Sequence, residues 1–213
     1  MTILVSMRPL LSAFLLAFGL EAMAQPVGPP GTSLATGWRD SLEAYWSHLD
    51  AEYADTATSP LTADDQPHFA HLAHFAFDST YCVRATFTPL TDAEPFAMKT
   101  TKTRTPMYKA HGTLRFMLNG EERTLTVYES VPPHPGYENE MFLPFTDLTN
   151  GNETYGVGRY LDLHAPIDSV IMLDFNRAYS PYCAYNDKYS CPVPPRENHL
   201  TTEVKAGVLK YHD

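Results

Sequence analysis

The chain has 213 residues, 44% of them hydrophobic and 19% charged, which fits an ordinary globular protein and excludes both a disordered chain and an integral membrane protein. Its 15 Lys and Arg face 25 Asp and Glu, a formal charge of −10. Affinity for a phosphate backbone rests on clustered basic residues that release counterions, and no such cluster is present, so nucleic acid is not an expected partner.

Arg8 is the only charge before an uncharged, largely apolar run from Leu10 to Leu20. That run is too short to span a bilayer, which needs about 20 residues. Ala22-Met23-Ala24 then places small residues where signal peptidase accepts them. Residues 1–24 therefore read as a signal peptide cleaved after Ala24. The mature chain is expected to be exported, periplasmic or extracellular, and without a membrane segment. No cysteine lies near the cleavage point, which argues against a lipid anchor. Residues 25–36 (QPVGPPGTSLAT) crowd Pro and Gly without periodicity and read as a flexible leader, leaving 37–213 as a single domain.

Trp38, Leu42, Tyr45, Leu49 and Tyr53 recur at helical spacing, with acidic and basic residues between them, and predict an amphipathic helix over 38–54 whose aromatic stripe packs on a sheet. A shorter helix is predicted over Thr62–Leu72, where Thr62 can cap the first turn and Asp64 and Asp65 suit its dipole. From Tyr81 the period changes to two. Tyr81, Val83, Ala85 and Phe87 take one face of a strand. Alternation in Leu114, Phe116 and Leu118 and then in Leu125 and Val127 flanks Asn119-Gly120, the strongest short hairpin signal, and a two-residue turn sets Leu114 opposite Leu125. Further strands are predicted over about 97–104, 140–145, 158–163 and 169–175, about seven in all and mostly antiparallel. The fold class is mainly β with N-terminal helices (α+β), as an antiparallel β-sandwich or partly closed barrel.

Between Phe142 and Asn198 the composition shifts to polar and aromatic residues interleaved with Gly and Pro. Phe145, Asp147, Thr149, Gly151, Glu153, Thr154, Tyr155 and Gly158 through Asp162 form one motif. Asp174 through Tyr179, Pro181, Cys183, Ala184, Tyr185, Cys191, Pro192, Pro194, Pro195, Glu197 and Asn198 form a second. Together they resemble the uncharacterised bacterial proteins grouped as domain of unknown function 1684, and looser agreement extends over most of the mature chain. The resemblance implies membership and no particular activity. Two positions depart from the pattern: Ser180 stands where an Asn is expected, and Val208-Leu209-Lys210 stands where a Glu-Lys pair is expected.

In a strand over 169–175, Asp174 ends an apolar run, so Asp174 and Asn176 would project together, with Arg177 following and Arg159 and Asp162 on a neighbouring strand. Arg159 and Arg177 with Asp147, Glu153, Tyr155, Asp162, Asp174, Asn176 and Tyr179 make a candidate pocket in which guanidinium forks grip a small polar or anionic molecule. The bland alternative is a lattice of Arg–carboxylate pairs that pins long loops to the sheet. A hydrolase or lyase would take Asp147, Glu153 or Asp174 as base and an Arg to stabilise developing charge. A structural envelope protein would need neither. The 13 tyrosines and 11 phenylalanines are spread through strands, so no stacking platform is expected.

Cys82, Cys183 and Cys191 are an odd set. In an oxidising compartment Cys183 and Cys191 can close a nine-residue loop with about 2.5 kcal/mol of stabilisation, although Cys82 can instead pair with either. His68, His71 and His74 are spaced by three, not the i, i+4 of common zinc pairs, and six residues rotate by about 600°, so no metal is expected. No H-E-x-x-H, G-x-S-x-G or P-loop occurs, and no cofactor is expected.

Overall fold

The structure, a computed structural model, describes residues 32–212, with side chains from residue 37. The signal-peptide reading and most of the leader lie outside the described residues. Helix α1 runs Thr32–Ala54, so it begins inside the stretch read as leader. Strands follow as β1 (Cys82–Pro89), β2 (Phe96–Ala97), β3 (Met107–Leu118), β4 (Glu121–Ser130), β5 (Glu140–Phe145), β6 (Arg159–His164) and β7 (Val170–Asp174). They form one antiparallel sheet in the order β6-β5-β4-β3-β1-β7, with β2 beside β3. The sheet curls through 238° about an axis, which makes it a partly closed barrel.

Asn119 and Gly120 both take positive φ, 52° and 80°, at the turn between β3 and β4, and Leu114 pairs with Leu125. That register sends Leu114, Phe116, Leu118, Leu125 and Val127 into the interior, where they meet Leu143, Phe145, Leu161, Leu173 and Phe175. A bulge between Ala110 and Gly112 bends β3 as it crosses β1. The Phe87 ring lies across Gly112, where a Cβ would stand 2.3 Å from Phe87 Cε2 and 2.7 Å from the Thr88 carbonyl oxygen.

β4 and β5 share a single paired position, Tyr128 with Phe142, and Pro144 has no N–H to donate. The Asn198 side chain bridges the gap. Its Oδ1 accepts from the Thr126 N–H at 2.7 Å, and its Nδ2 donates to the Thr126 carbonyl at 2.8 Å and the Pro144 carbonyl at 2.7 Å.

Two predicted elements change. The Thr62–Leu72 stretch is no α-helix: Thr62 Oγ1 accepts from the Asp65 N–H at 3.1 Å, one 3₁₀ turn covers Gln66–His68, and Pro67 interrupts the donor series. The chain then extends, with the Leu72 N–H donating to Asp50 Oδ1 at 2.7 Å. The predicted strand over 97–104 shrinks to β2, because the backbone beyond it turns to residues 191–193: Thr101 N–H donates to the Cys191 carbonyl and Val193 N–H to the Lys99 carbonyl.

Helix α1 buries Leu42, Trp46 and Tyr53, and the latter two pack with Leu61, Leu72, Ala184, Tyr185 and Val208, which lie outside the strands, rather than on the sheet face. Trp38 Nε1 donates to Asp174 Oδ2 at 2.7 Å, Trp46 Nε1 to the Asn176 carbonyl at 3.1 Å, and Tyr45 Oη to the Arg177 carbonyl at 2.9 Å. Donors on α1 need free acceptors, and these are the carboxylate of Asp174 at the end of β7 and two carbonyls of the 3₁₀ turn Phe175–Arg177 that follows it. This turn decides the architecture. The chain leaves β7 at one margin of the curled sheet and crosses to the other, where Tyr179 and Tyr160 of β6 exchange backbone hydrogen bonds at 2.9 and 3.0 Å.

Candidate ligand-binding site

The two motifs rich in Arg and carboxylate do come together, since Tyr160 pairs with Tyr179. Their arginines point elsewhere. Arg159 shares the inward face of β6 with Leu161 and is fully buried. It donates to Asp147 Oδ2 at 2.8 Å, to the Val204 carbonyl at 2.7 Å and to the Ala206 carbonyl, and its guanidinium lies over the Phe145 ring. Asp147 also accepts from Thr149 N, Thr149 Oγ1 and Val204 N. Burial pulls the Arg159 pKa down while Asp147 opposes that shift. Nothing in this pair faces solvent, so Arg159 cannot grip a ligand arriving from outside; it pins residues 204–206 to the barrel.

The remaining candidates divide. Asp174 caps the Phe175–Arg177 turn through the Asn176 N–H at 3.0 Å. Asn176 exchanges hydrogen bonds with the backbone of Asp78, at 3.0 and 2.8 Å. Arg177 stacks over Tyr45, 5.3 Å from its centroid, and donates to Ser41 Oγ. Glu153 makes a surface ion pair with Lys205 at 3.1 Å. The three carboxylates named as possible bases, Asp147, Glu153 and Asp174, are thus all engaged. Tyr155 Oη reaches the Cys183 carbonyl at 3.3 Å and its Sγ at 3.6 Å. Tyr179 and Asp162 are the candidates that face a cavity.

That cavity is a cleft of about 660 Å³. Alternation on β6 puts Tyr160 and Asp162 on the face opposite Arg159, and pairing with β5 sets Phe142 beside Asp162. Tyr108, Phe142, Tyr160 and Asp162 make the floor, Tyr45, Leu49 and Tyr53 of α1 one wall, and Tyr179, Tyr182 and Tyr189 the other. Eight of the 13 tyrosines line it, counting Tyr137 at the rim. The stacking platform that the spread of aromatic residues along the sequence hides is therefore assembled by the fold. Phe142 and Tyr160 meet edge to face at 4.7 Å, as do Tyr160 and Tyr179 at 5.9 Å, geometries that hold rings rigid.

The polar focus is Asp162, which accepts from Tyr179 Oη at 2.7 Å. Surrounding protein raises the Asp162 pKa, Glu140 adds to the rise, and the Tyr179 hydrogen bond and His164 work against it. Asp162 itself remains exposed within the cleft. Burial likewise raises the Tyr179 hydroxyl, with Asp162 second. Glu52, Glu140 and Asp162 line the space against Arg104 and His134, which leaves the cleft acidic. A larger and more open groove of about 1150 Å³ runs between Trp38, Phe77, Tyr81 and Met172; there Trp38 is bonded to Asp174, Lys205 is paired with Glu153 and Glu203, and Arg39 lies over Phe77. The smaller cleft, with converging rings and a perturbed carboxyl, has the composition of a ligand site.

At one end of the cleft lies Cys191, and the Cys183 N–H donates to its Sγ at 3.2 Å. All three cysteines are free thiols, so the Cys183–Cys191 bond weighed above is not formed in the structure, although its partners are adjacent. Among the described residues no group of three or more His, Cys, Asp and Glu can hold a metal ion, and His74 is stacked between Trp46 and Phe77.

Residues 67–209 match the family described as "Protein of unknown function (DUF1684)". The chain belongs to that family. The DUF1684 match begins after α1, so one wall of the cleft comes from outside the matched residues. An uncharacterized protein of Haloarcula marismortui, whose structure was solved by NMR in solution, is 35% identical. The alignment covers 83% of this chain and 96% of that one, with a TM-score of 0.67. No curated protein matches. Among the described residues, no helix of this DUF1684 chain is long and apolar enough to cross a membrane. The signal that could have found the cleft was the alternation in Arg159-Tyr160-Leu161-Asp162, which already sets the arginine on the apolar side.

Proposed function

We propose that this protein binds a small polar molecule with a flat or ring-shaped face, seated among the cleft tyrosines and anchored by Asp162 and Tyr179. The observation that carries the reading is the hydrogen-bonded Asp162–Tyr179 pair at the floor of a cleft whose walls are aromatic rings. Rings supply area at low entropic cost, and one oriented carboxyl supplies direction. An excess of acid in the lining favours an uncharged or cationic ligand over an anionic one. The expectation of an anion rested on Arg159 and Arg177, whose guanidiniums are turned into the barrel wall and onto α1. The signal-peptide features of residues 1–24 support binding outside the cytoplasm.

A thermal-shift screen of neutral sugars, organic amines, organic acids and phosphates tests this on wild type, Tyr179→Phe and Asp162→Asn. A ligand at about 100 times its Kd stabilises by roughly 2.7 kcal/mol, or about 5–10 °C for a chain of this size. Neutral or cationic ring compounds are expected to raise the wild-type Tm, with at least half the shift lost in Asp162→Asn. Equal shifts in all three proteins, or shifts from anions alone, overturn the reading.

A further inference from the structure

We infer that Cys183 and Cys191 form a reversible dithiol–disulfide couple, in which Cys183 attacks a small-molecule disulfide and Cys191 resolves the mixed disulfide. The two residues are held in place from both sides. Cys183 sits in the 3₁₀ turn Tyr182–Ala184, and its N–H points at Cys191 Sγ, 3.2 Å away. Cys191 is fixed to the neighbouring loop: its N–H donates to Thr101 Oγ1 at 3.1 Å and its carbonyl accepts from Thr101 N at 2.9 Å. The Thr101 contacts belong to the pairing of residues 99–101 with 191–193, which fixes Cys191 in the fold, whereas the Cys183 N–H···Sγ contact joins only the two cysteines.

Their surroundings assign the roles. Tyr155 Oη approaches Cys183 Sγ at 3.6 Å, and the Cys191 thiol is its other polar neighbour. Together, with Cys191 the larger influence, they lower the Cys183 pKa to about 6 although burial opposes them. Cys191, the more buried of the two, is shifted the other way, chiefly by Cys183, so the half-buried Cys183 is the sulfur within reach of an incoming disulfide. Cys82 is unlike either. Burial pushes its thiol up to about 11, with Asp174 adding to the rise, and it lies near Trp38 at the other groove.

In the first step the Cys183 thiolate bonds to one sulfur of the disulfide, whose S–S bond breaks and expels a thiolate. This removes the negative sulfur that held the proton on Cys191. The Cys183 N–H that donates to Cys191 Sγ remains in place to favour the Cys191 thiolate. Cys191 then gives its proton to the expelled thiolate and attacks Cys183 Sγ, releasing the second thiolate, which takes a proton from water. Two protein thiols are oxidised to one disulfide and one small-molecule disulfide is reduced to two thiols.

The full chain is incubated with oxidised glutathione near neutral pH, alkylated and mapped by peptide mass. The expected product is a Cys183–Cys191 crosslink that reduced glutathione reverses, with Cys82 alkylated throughout. Cys191→Ser is expected to trap glutathione on Cys183. Cys183→Ser is expected to label Cys191 at least tenfold more slowly, and circular dichroism of both variants confirms that they fold. A crosslink involving Cys82, mixed disulfides without a crosslink in wild type, or faster labelling of Cys191 than of Cys183 overturns the inference. None of these outcomes depends on occupancy of the tyrosine cleft.

Discussion

Replacing Arg159 with leucine separates a structural arginine from a ligand-binding one. The substitution leaves the Asp147 carboxylate fully buried and still accepting from Thr149 and Val204, but with no counter-charge. It also strips donors from the Val204 and Ala206 carbonyls. An uncompensated buried charge costs about 3–5 kcal/mol, and an orphaned carbonyl about 1–3 kcal/mol. Apolar refilling by leucine returns part of this, so the net loss is on the order of 4–6 kcal/mol. With an m value of about 2–3 kcal/mol/M, the urea midpoint falls by about 2 M. Arg177→Leu is the comparison. Its guanidinium is half-buried over Tyr45 and the Tyr45 hydroxyl bonds only to its carbonyl, so the loss is about 1 kcal/mol. Adding Asp147→Asn to Arg159→Leu removes the stranded charge and is expected to restore more than about 1 kcal/mol. Equal losses for the two arginines, or further loss in the double variant, would refute the reasoning.

Three more outcomes follow from the same geometry. Asn198→Ala removes three hydrogen bonds that stand in for missing rungs between β4 and β5, and should lower stability by about 3 kcal/mol in urea unfolding. Gly112→Ala forces a Cβ into the Phe87 ring and the Thr88 carbonyl, and should cost about 1–3 kcal/mol with a shift of the Phe87 resonances in NMR spectra. Asp162 has a folded-state pKa above its ordinary 3.8, so the folded chain holds its proton more tightly than the unfolded one. Its contribution to stability is therefore lost as pH rises from 3.8 through the raised value, and the Tm of Asp162→Asn should gain on wild type across that window. A Tm of Asp162→Asn that falls relative to wild type across that window would show the shift to have the opposite sign.

Much of the sheet is legible in the chain because local rules and burial agree there. Asn119-Gly120 sets both the turn and the register, and β5, β6 and β7 fall within a residue or two of the alternating runs. The short elements are less legible because tertiary partners override propensity: Asp50 captures the Leu72 N–H, and residues 191–193 take the backbone of 99–101. The site is half legible. The two motifs meet as their composition suggests, yet the residues that reach the cleft are the neighbours of those with the most conspicuous chemistry. Arg159 draws attention as a charge, but its place on the inward face of β6 buries it, while Tyr160 and Asp162 on the other face reach the cavity. The gathering of tyrosines from α1, β3, β6 and the 179–189 stretch requires the crossing from β7 to the β6 margin, a long-range event with no local signature.

The binding proposal is tested most directly by NMR on protein carrying ¹³C-labelled tyrosine, titrated with the strongest neutral or cationic ring compound from the screen. The account requires the ring signals of Tyr160, Tyr179 and Tyr182 to move together and saturate, with Tyr81 in the larger groove unmoved. Saturable movement of Tyr81 while the cleft tyrosines stay still would contradict it.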